Sequence, residues 1–151
     1  MSLKDTINQD LKVAMKEKNE VAKLALRAIK SAILLAETSE SKLGASLTEA
    51  EELQLLIKQA KQRKDSIQQF RSNQRDDLAD KEEAELKVIE QYLPQALSPE
   101  EVKAEVERIV AELGASSMKD MGRVMKATRE KLAGKADGKA IADLVKQILS
   151  S

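Results

Sequence analysis

The chain has 151 residues, with 26 lysines and arginines against 26 aspartates and glutamates, and neither cysteine nor histidine. That composition excludes disulfide frameworks, thiol nucleophiles, Ser-His and Cys-His catalysis, and zinc sites built on thiolate or imidazole. Length permits one domain or two small ones, and no apolar run reaches the ~18 residues that would span a bilayer. Chemistry is left to carboxylates, lysines, serines and one tyrosine, so no catalytic set, metal or cofactor is expected. The opening Met1-Ser2-Leu3-Lys4-Asp5 has no apolar signal core and turns acidic too early for a transit peptide, so the expectation is a soluble cytoplasmic protein.

In chain order, almost every segment reads as helix. Ser2 is placed to cap a first helix with Leu3, Ile7, Leu11, Ala14 and Met15 on one face. Asn19 breaks it and caps a second, whose inner face is read as Val21, Leu24, Ala25, Ala28, Ile29 and Ala32, ending in Ile33-Leu34-Leu35. The polar stretch from Thr38 to Leu47, with Gly44 inside it, reads as a mobile loop. Thr48 and Glu51 form a capping box opening a long helix with Leu53, Leu56, Ile57, Ala60, Ile67 and Phe70 inward, interrupted near Asn73. An acidic helix from Asp76 buries Leu78, Leu86, Ile89 and Leu93, and Pro94 stops it.

The boundary between two subdomains, 1–94 and 95–151, is placed at Pro94, with Tyr92 packing at the junction. Ser98-Pro99-Glu100-Glu101 is a strong helix start, with a serine cap, proline at the first position and a glutamate three on. Its helix buries Val102, Val106, Ile109, Val110 and Leu113, and Gly114 ends it. Ser117 and Asp120 open the next, with Met118, Met121, Met125 and Leu132 inward. Gly122 inside that helix is read as a close approach, by a crossing helix before a ligand backbone, and Gly134 closes the helix. Asp137 is read as the cap of a last helix with Ile141, Leu144, Val145, Ile148 and Leu149 on one stripe. No segment alternates as a strand, so the fold class is all-α: helical hairpins or a bundle, followed by a small three-helix unit.

Charge is segregated along the chain. Lys58 to Arg75 holds six bases and one acid, net +5, and Asp76 to Glu90 holds seven acids and two bases, net −5. Lys61, Lys64, Arg71 and Arg75 share one side of their helix. Pairing with the acidic neighbour is the favoured reading of that side, and a second face for phosphates is the alternative. From Ala115 onward there are eight bases and four acids, net +4. Lys119, Arg123 and Lys126 share a helical face, and Lys135, Gly138 and Lys139 surround a glycine turn whose Asp137 is expected to be occupied as a cap. Those six residues are the candidate nucleic-acid site. Glycines let a backbone come close, and helix-start amides favour an anion. With Phe70 and Tyr92 the sole aromatics, base stacking is scarce and recognition would fall on backbone and shape. The methionines read as core before they read as a docking groove. Glu82 and Glu83, adjacent on a helix, point apart and make a poor acid–base pair.

Several of these segments resemble the YqeY family, also called the GatB/YqeY domain family. They are Leu11-Lys12-Val13-Ala14-Met15-Lys16, Leu26 to Ile33, Lys61-Gln62-Arg63-Lys64-Asp65-Ser66-Ile67, Glu90-Gln91-Tyr92-Leu93-Pro94, Gly114 to Met125 and the Gly134–Lys139 turn. The resemblance implies an all-helical fold in two subdomains, similar to the C-terminal tail of GatB in the tRNA-dependent amidotransferase, where that tail helps recognise the tRNA body. It associates the family with carbon–nitrogen ligase activity using glutamine as amido donor. The phosphoryl-transfer cradle and serine–lysine amidase apparatus of that enzyme have no counterpart in these residues. The expected function is a noncatalytic tRNA-binding accessory module in translation. The alternative is a docking module for an amidotransferase subunit or an aminoacyl-tRNA synthetase, using the methionine face or the acidic helix.

Overall fold

A computed structural model describes residues 2–150. Seven helices follow in order: α1 (Leu3–Lys16), α2 (Glu20–Glu37), α3 (Glu49–Ser72), α4 (Asp76–Glu90), α5 (Pro99–Leu113), α6 (Met121–Lys131) and α7 (Gly138–Ser150). A 3-10 turn at Met118–Asp120 precedes α6, and no strand occurs among the described residues. The protein is all-α. The chain divides into two compact units between Leu93 and Pro94.

Local chemistry sets the helix starts. Ser2 with Asp5, Thr48 with Glu51 and Ser98 with Glu101 form reciprocal capping boxes, and Asn19 caps α2 by accepting from the Ala22 amide. Each satisfies amides that have no partner inside the helix. Gly114 ends α5 in the left-handed conformation, φ +65°, which a side chain would resist. The acidic helix α4 leaves helical geometry at Glu90, four residues before Pro94. Short turn bonds from Tyr92 N–H to Ile89 O and Leu93 N–H to Glu90 O close it.

In the N-terminal unit, Ile7, Leu11, Leu26, Ile29, Ile33, Leu56, Leu86 and Ile89 form the core. The inner face of α2 differs from the one the sequence suggests. Ala25, Leu26, Ile29 and Ile33 are buried, whereas Val21, Leu24, Leu34 and Leu35 are exposed. At 100° per residue α2 carries two neighbouring apolar stripes, and the sequence reading merged them. Met15 is likewise exposed. The segment after α2 is a run of hydrogen-bonded turns, with the Gly44 amide donating to Glu37 O at 2.6 Å and Lys42 paired to Glu51 at 2.5 Å. Tyr92 belongs to this unit's core, and its hydroxyl donates to the Asp10 carboxylate on α1.

The basic and acidic helices α3 and α4 pack together, and their opposite charges meet in the seam. Arg63 donates to Glu82 at 2.9 Å and Glu85 at 2.5 Å, with both Arg63 and Glu85 side chains largely buried. Glu82 and Glu83 do point apart, the first to Arg63 and the second to Arg71.

The C-terminal unit packs α5, α6 and α7 around Val102, Val106, Val124, Met125, Leu132, Ile141, Val145 and Leu149. Its methionines do not form one inward face. Met125 is buried, Met121 half-buried and Met118 exposed on the 3-10 turn.

Candidate nucleic-acid interface

Half of the second basic face suggested by the sequence, Arg71 and Arg75, is committed to carboxylates of α4. Arg71 donates to Asp80 at 3.1 Å and Glu83 at 2.7 Å, and Arg75 donates to Asp77 at 3.2 Å. These bonds raise both guanidinium pKa values further and hold the Asp77 carboxyl below its ordinary range. Lys61 and Lys64 remain exposed, without a carboxylate partner among the described residues. A phosphate approaching this side meets two arginines already screened by their own acids and two lysines that are not.

The C-terminal candidates lie on α6 and its two ends. α6 turns Val124, Met125 and Thr128 into the core, so Arg123 and Lys126 face solvent. Lys119 is exposed on the preceding 3-10 turn, capped by the Ser117 hydroxyl. Lys135, Gly138 and Lys139 are exposed beyond the other end. With 11 residues in α6, a rod ~16 Å long, Lys119 stands before its start, Arg123 and Lys126 along its first half and middle, and Lys135, Gly138 and Lys139 beyond its end. The turn that carries Lys135 is fixed by its backbone: Lys135 N–H donates to Leu132 O, and Lys135 O accepts from Leu97 N–H, both at 2.9 Å.

Three details depart from the sequence reading. Asp137 gives α7 only its backbone carbonyl, to Ile141 N–H at 3.0 Å, and its exposed carboxylate makes no hydrogen bond among the described residues. It therefore remains a negative charge between Lys135 and Lys139. Gly122 is the second residue of α6 and exposed, and a Cβ there would meet no atom within 4 Å, so no helix crosses closely. Asp120 opens α6 without capping a backbone amide of the helix. Its carboxylate instead accepts from Ser116 N–H at 3.0 Å and from Arg123 at 3.1 Å. The Ser116 bond first, and Arg123 after it, hold the Asp120 carboxyl below its ordinary value. Arg123 is thus partly neutralised.

Arg129 joins the surface without having been among the six candidate residues. It is exposed, has no carboxylate partner among the described residues, and follows Lys126 by three positions, so the two neighbour each other on α6. The spacing was visible in the sequence. Lys131, by contrast, is drawn to Glu105 at 3.4 Å. The unpaired cations of this unit's proposed surface are therefore Lys119, Lys126, Arg129, Lys135 and Lys139.

Seven helices in two units, with exposed cations on α6 of the second and in the turns beside it, define an all-helical protein. The model of the family described as Yqey-like protein matches residues 4–149, and the chain belongs to the YqeY family. It is similar to proteins named "Altered inheritance of mitochondria protein 41, mitochondrial". Identity is 36% over 113 residues with that of Lachancea thermotolerans, covering 74% of this chain and 59% of the relative. It is 35% over 136 residues with that of Clavispora lusitaniae, covering 87% and 77%. It is 36% over 124 residues with that of Vanderwaltozyma polyspora, covering 76% and 64%. These relatives are named as mitochondrial proteins, which overturns the cytoplasmic expectation drawn from the opening residues. The chain spans 59% to 77% of their length.

Proposed function

We propose that the chain is a noncatalytic RNA-binding module that contacts the backbone of tRNA through the solvent face of α6 and the turn before α7. The observation that carries this reading is the contrast between the two basic surfaces. Of the four cations of the first face, Arg71 near the end of α3 and Arg75 in the turn after it are held by carboxylates and Lys61 and Lys64 are not, whereas Lys119, Lys126, Arg129, Lys135 and Lys139 all have none within pairing distance among the described residues. Unpaired cations can release counterions from a phosphate backbone, and paired ones have little left to give. The resemblance to the tail of an amidotransferase subunit supports tRNA as the RNA. On this reading any carbon–nitrogen ligase chemistry belongs to a partner, such as an amidotransferase subunit or a synthetase.

Fluorescence anisotropy with labelled tRNA, beside an RNA duplex of similar length, tests the reading. Charge reversal at Lys126, Lys135 and Lys139 should weaken tRNA binding and leave the melting temperature unchanged. Each lost phosphate contact lowers the slope of log K against log salt by about 0.9, so the triple variant should lose roughly 2.7. Equal binding of tRNA and duplex, or an unchanged slope, would refute it.

A further inference from the structure

The N-terminal unit carries a surface that the RNA reading leaves unused. Besides its buried face, α2 has a second apolar stripe: Val21, Leu24, Ala28, Ala32 and Leu35 fall within ~80° of arc at 100° per residue. Of these, Val21, Leu24 and Leu35 are 38%, 43% and 75% exposed. The stripe is ~21 Å long at 1.5 Å per residue. Its last turns open into a groove of about 790 Å³ between the end of α2 and the start of α3, with Leu35, Ala36, Leu47 and Leu55 among its walls. Large apolar side chains in one exposed row mark an interaction site more often than chance.

The charges around the groove select the occupant. The one carboxylate lining it, Glu51, is already bound by Lys42. The remaining charge in its wall is Lys58, which has no partner among the described residues. Arg27 borders the stripe on α2, about 60° from Leu24, exposed and unpaired among the described residues. Across residues 11–36 there are six bases and two acids, and one of those acids, Glu20, is paired with Lys23. A second copy of the chain would set this excess against itself, where like charges repel. The acidic helices α4 and α5 cannot supply the ridge, because Leu86, Ile89, Val102 and Val106 are buried in their own cores. A flat bilayer would leave the concave part of the surface unfilled.

We infer that the exposed stripe of α2 and the groove beside α3 dock an amphipathic helix of a partner protein, apolar on one face and acidic on its flanks. This is the helix-in-groove mode, in which anchors spaced by three and four residues fill the groove and flanking charge sets the partner.

The test uses the full-length protein and two labelled synthetic helices of about 16 residues, both with leucines spaced by three and four, one flanked by glutamates and the other by lysines. The glutamate-flanked helix should bind and the lysine-flanked helix should not. Leu24→Glu or Leu35→Glu should each weaken binding about tenfold or more while circular dichroism stays unchanged. Arg27→Glu with Lys58→Glu, which touches no core residue, should weaken the glutamate-flanked helix and gain the lysine-flanked one. No binding of the acidic helix, equal binding of both, or indifference to all of these variants would overturn the inference. So would self-association in sedimentation that Leu35→Glu abolishes, or binding to phosphatidylglycerol vesicles in place of the helix. Charge reversal at Lys126, Lys135 and Lys139 should leave helix docking intact, so failure here and failure of the RNA reading are separable.

Discussion

Asp120 illustrates how one side chain can serve fold and surface together. It ties down the turn through the Ser116 amide and takes part of the charge of Arg123. Its pKa in the folded state lies below the ordinary 3.8, so the unfolded chain binds the proton more readily. The stability it contributes is complete above the ordinary carboxyl value and is lost as pH falls through the folded one. Asp120→Asn should remove that component, giving melting temperatures that fall less steeply than wild type below about pH 4. The same substitution releases Arg123, and tRNA binding at low salt should tighten about twofold to fivefold. Unchanged affinity would mean that Arg123 lies outside the interface. Arg63 is the opposite case, with 15% of its side chain exposed beside a Glu85 side chain that is 7% exposed. Arg63→Ala leaves a buried carboxylate without its cation and should cost about 3 kcal/mol in chemical denaturation. A loss under ~0.5 kcal/mol would show that water replaces the guanidinium freely.

At the scale of the helix, α2 separates what a sequence can and cannot specify. Ile29 is fully buried and Leu24 is 43% exposed, though periodicity puts both on one inner face. Ile29→Ala should destabilise by about 2–5 kcal/mol, whereas Leu24→Ala should stay within ~0.5 kcal/mol. Equal losses would mean that the exposed stripe is covered in solution. Helix starts were legible because a capping box is local chemistry: Ser2, Thr48 and Ser98 each find their acid three residues on. The pairing of α3 with α4 was legible because charge of one sign is concentrated on each. The choice between two apolar stripes on α2 was not, since periodicity gives a direction around the axis and does not say which side a neighbour occupies. Asp137 fails for a related reason. Aspartate before a helix is a common cap, but only the turn geometry decides whether its carboxylate faces the amides.

At the scale of the whole chain, the two units have separate cores, and the only aromatic residues, Phe70 and Tyr92, both lie in the first. Tyr92 packs against that unit's core and donates to Asp10, so its fluorescence reports on the N-terminal unit alone, while far-ultraviolet circular dichroism reports on both. The C-terminal unit is small, and a small unit buries a smaller fraction of its surface, which leaves it closer to its stability threshold. Ile141, 2% exposed in its core, is the place to probe this. Ile141→Ala removes about 2–5 kcal/mol from whichever cooperative block contains it. If each core melts by itself, the circular dichroism transition of the C-terminal unit moves down, the Tyr92 transition stays where it was, and RNA binding is lost with the unit that carries it. Docking of the acidic helix on α2 survives in the same variant, because the groove belongs to the unit that Tyr92 reports as folded. A Tyr92 transition that shifts in step with circular dichroism would instead make the two cores one cooperative block, and every charge substitution on α6 would then have to be checked for its effect on the α2 surface as well.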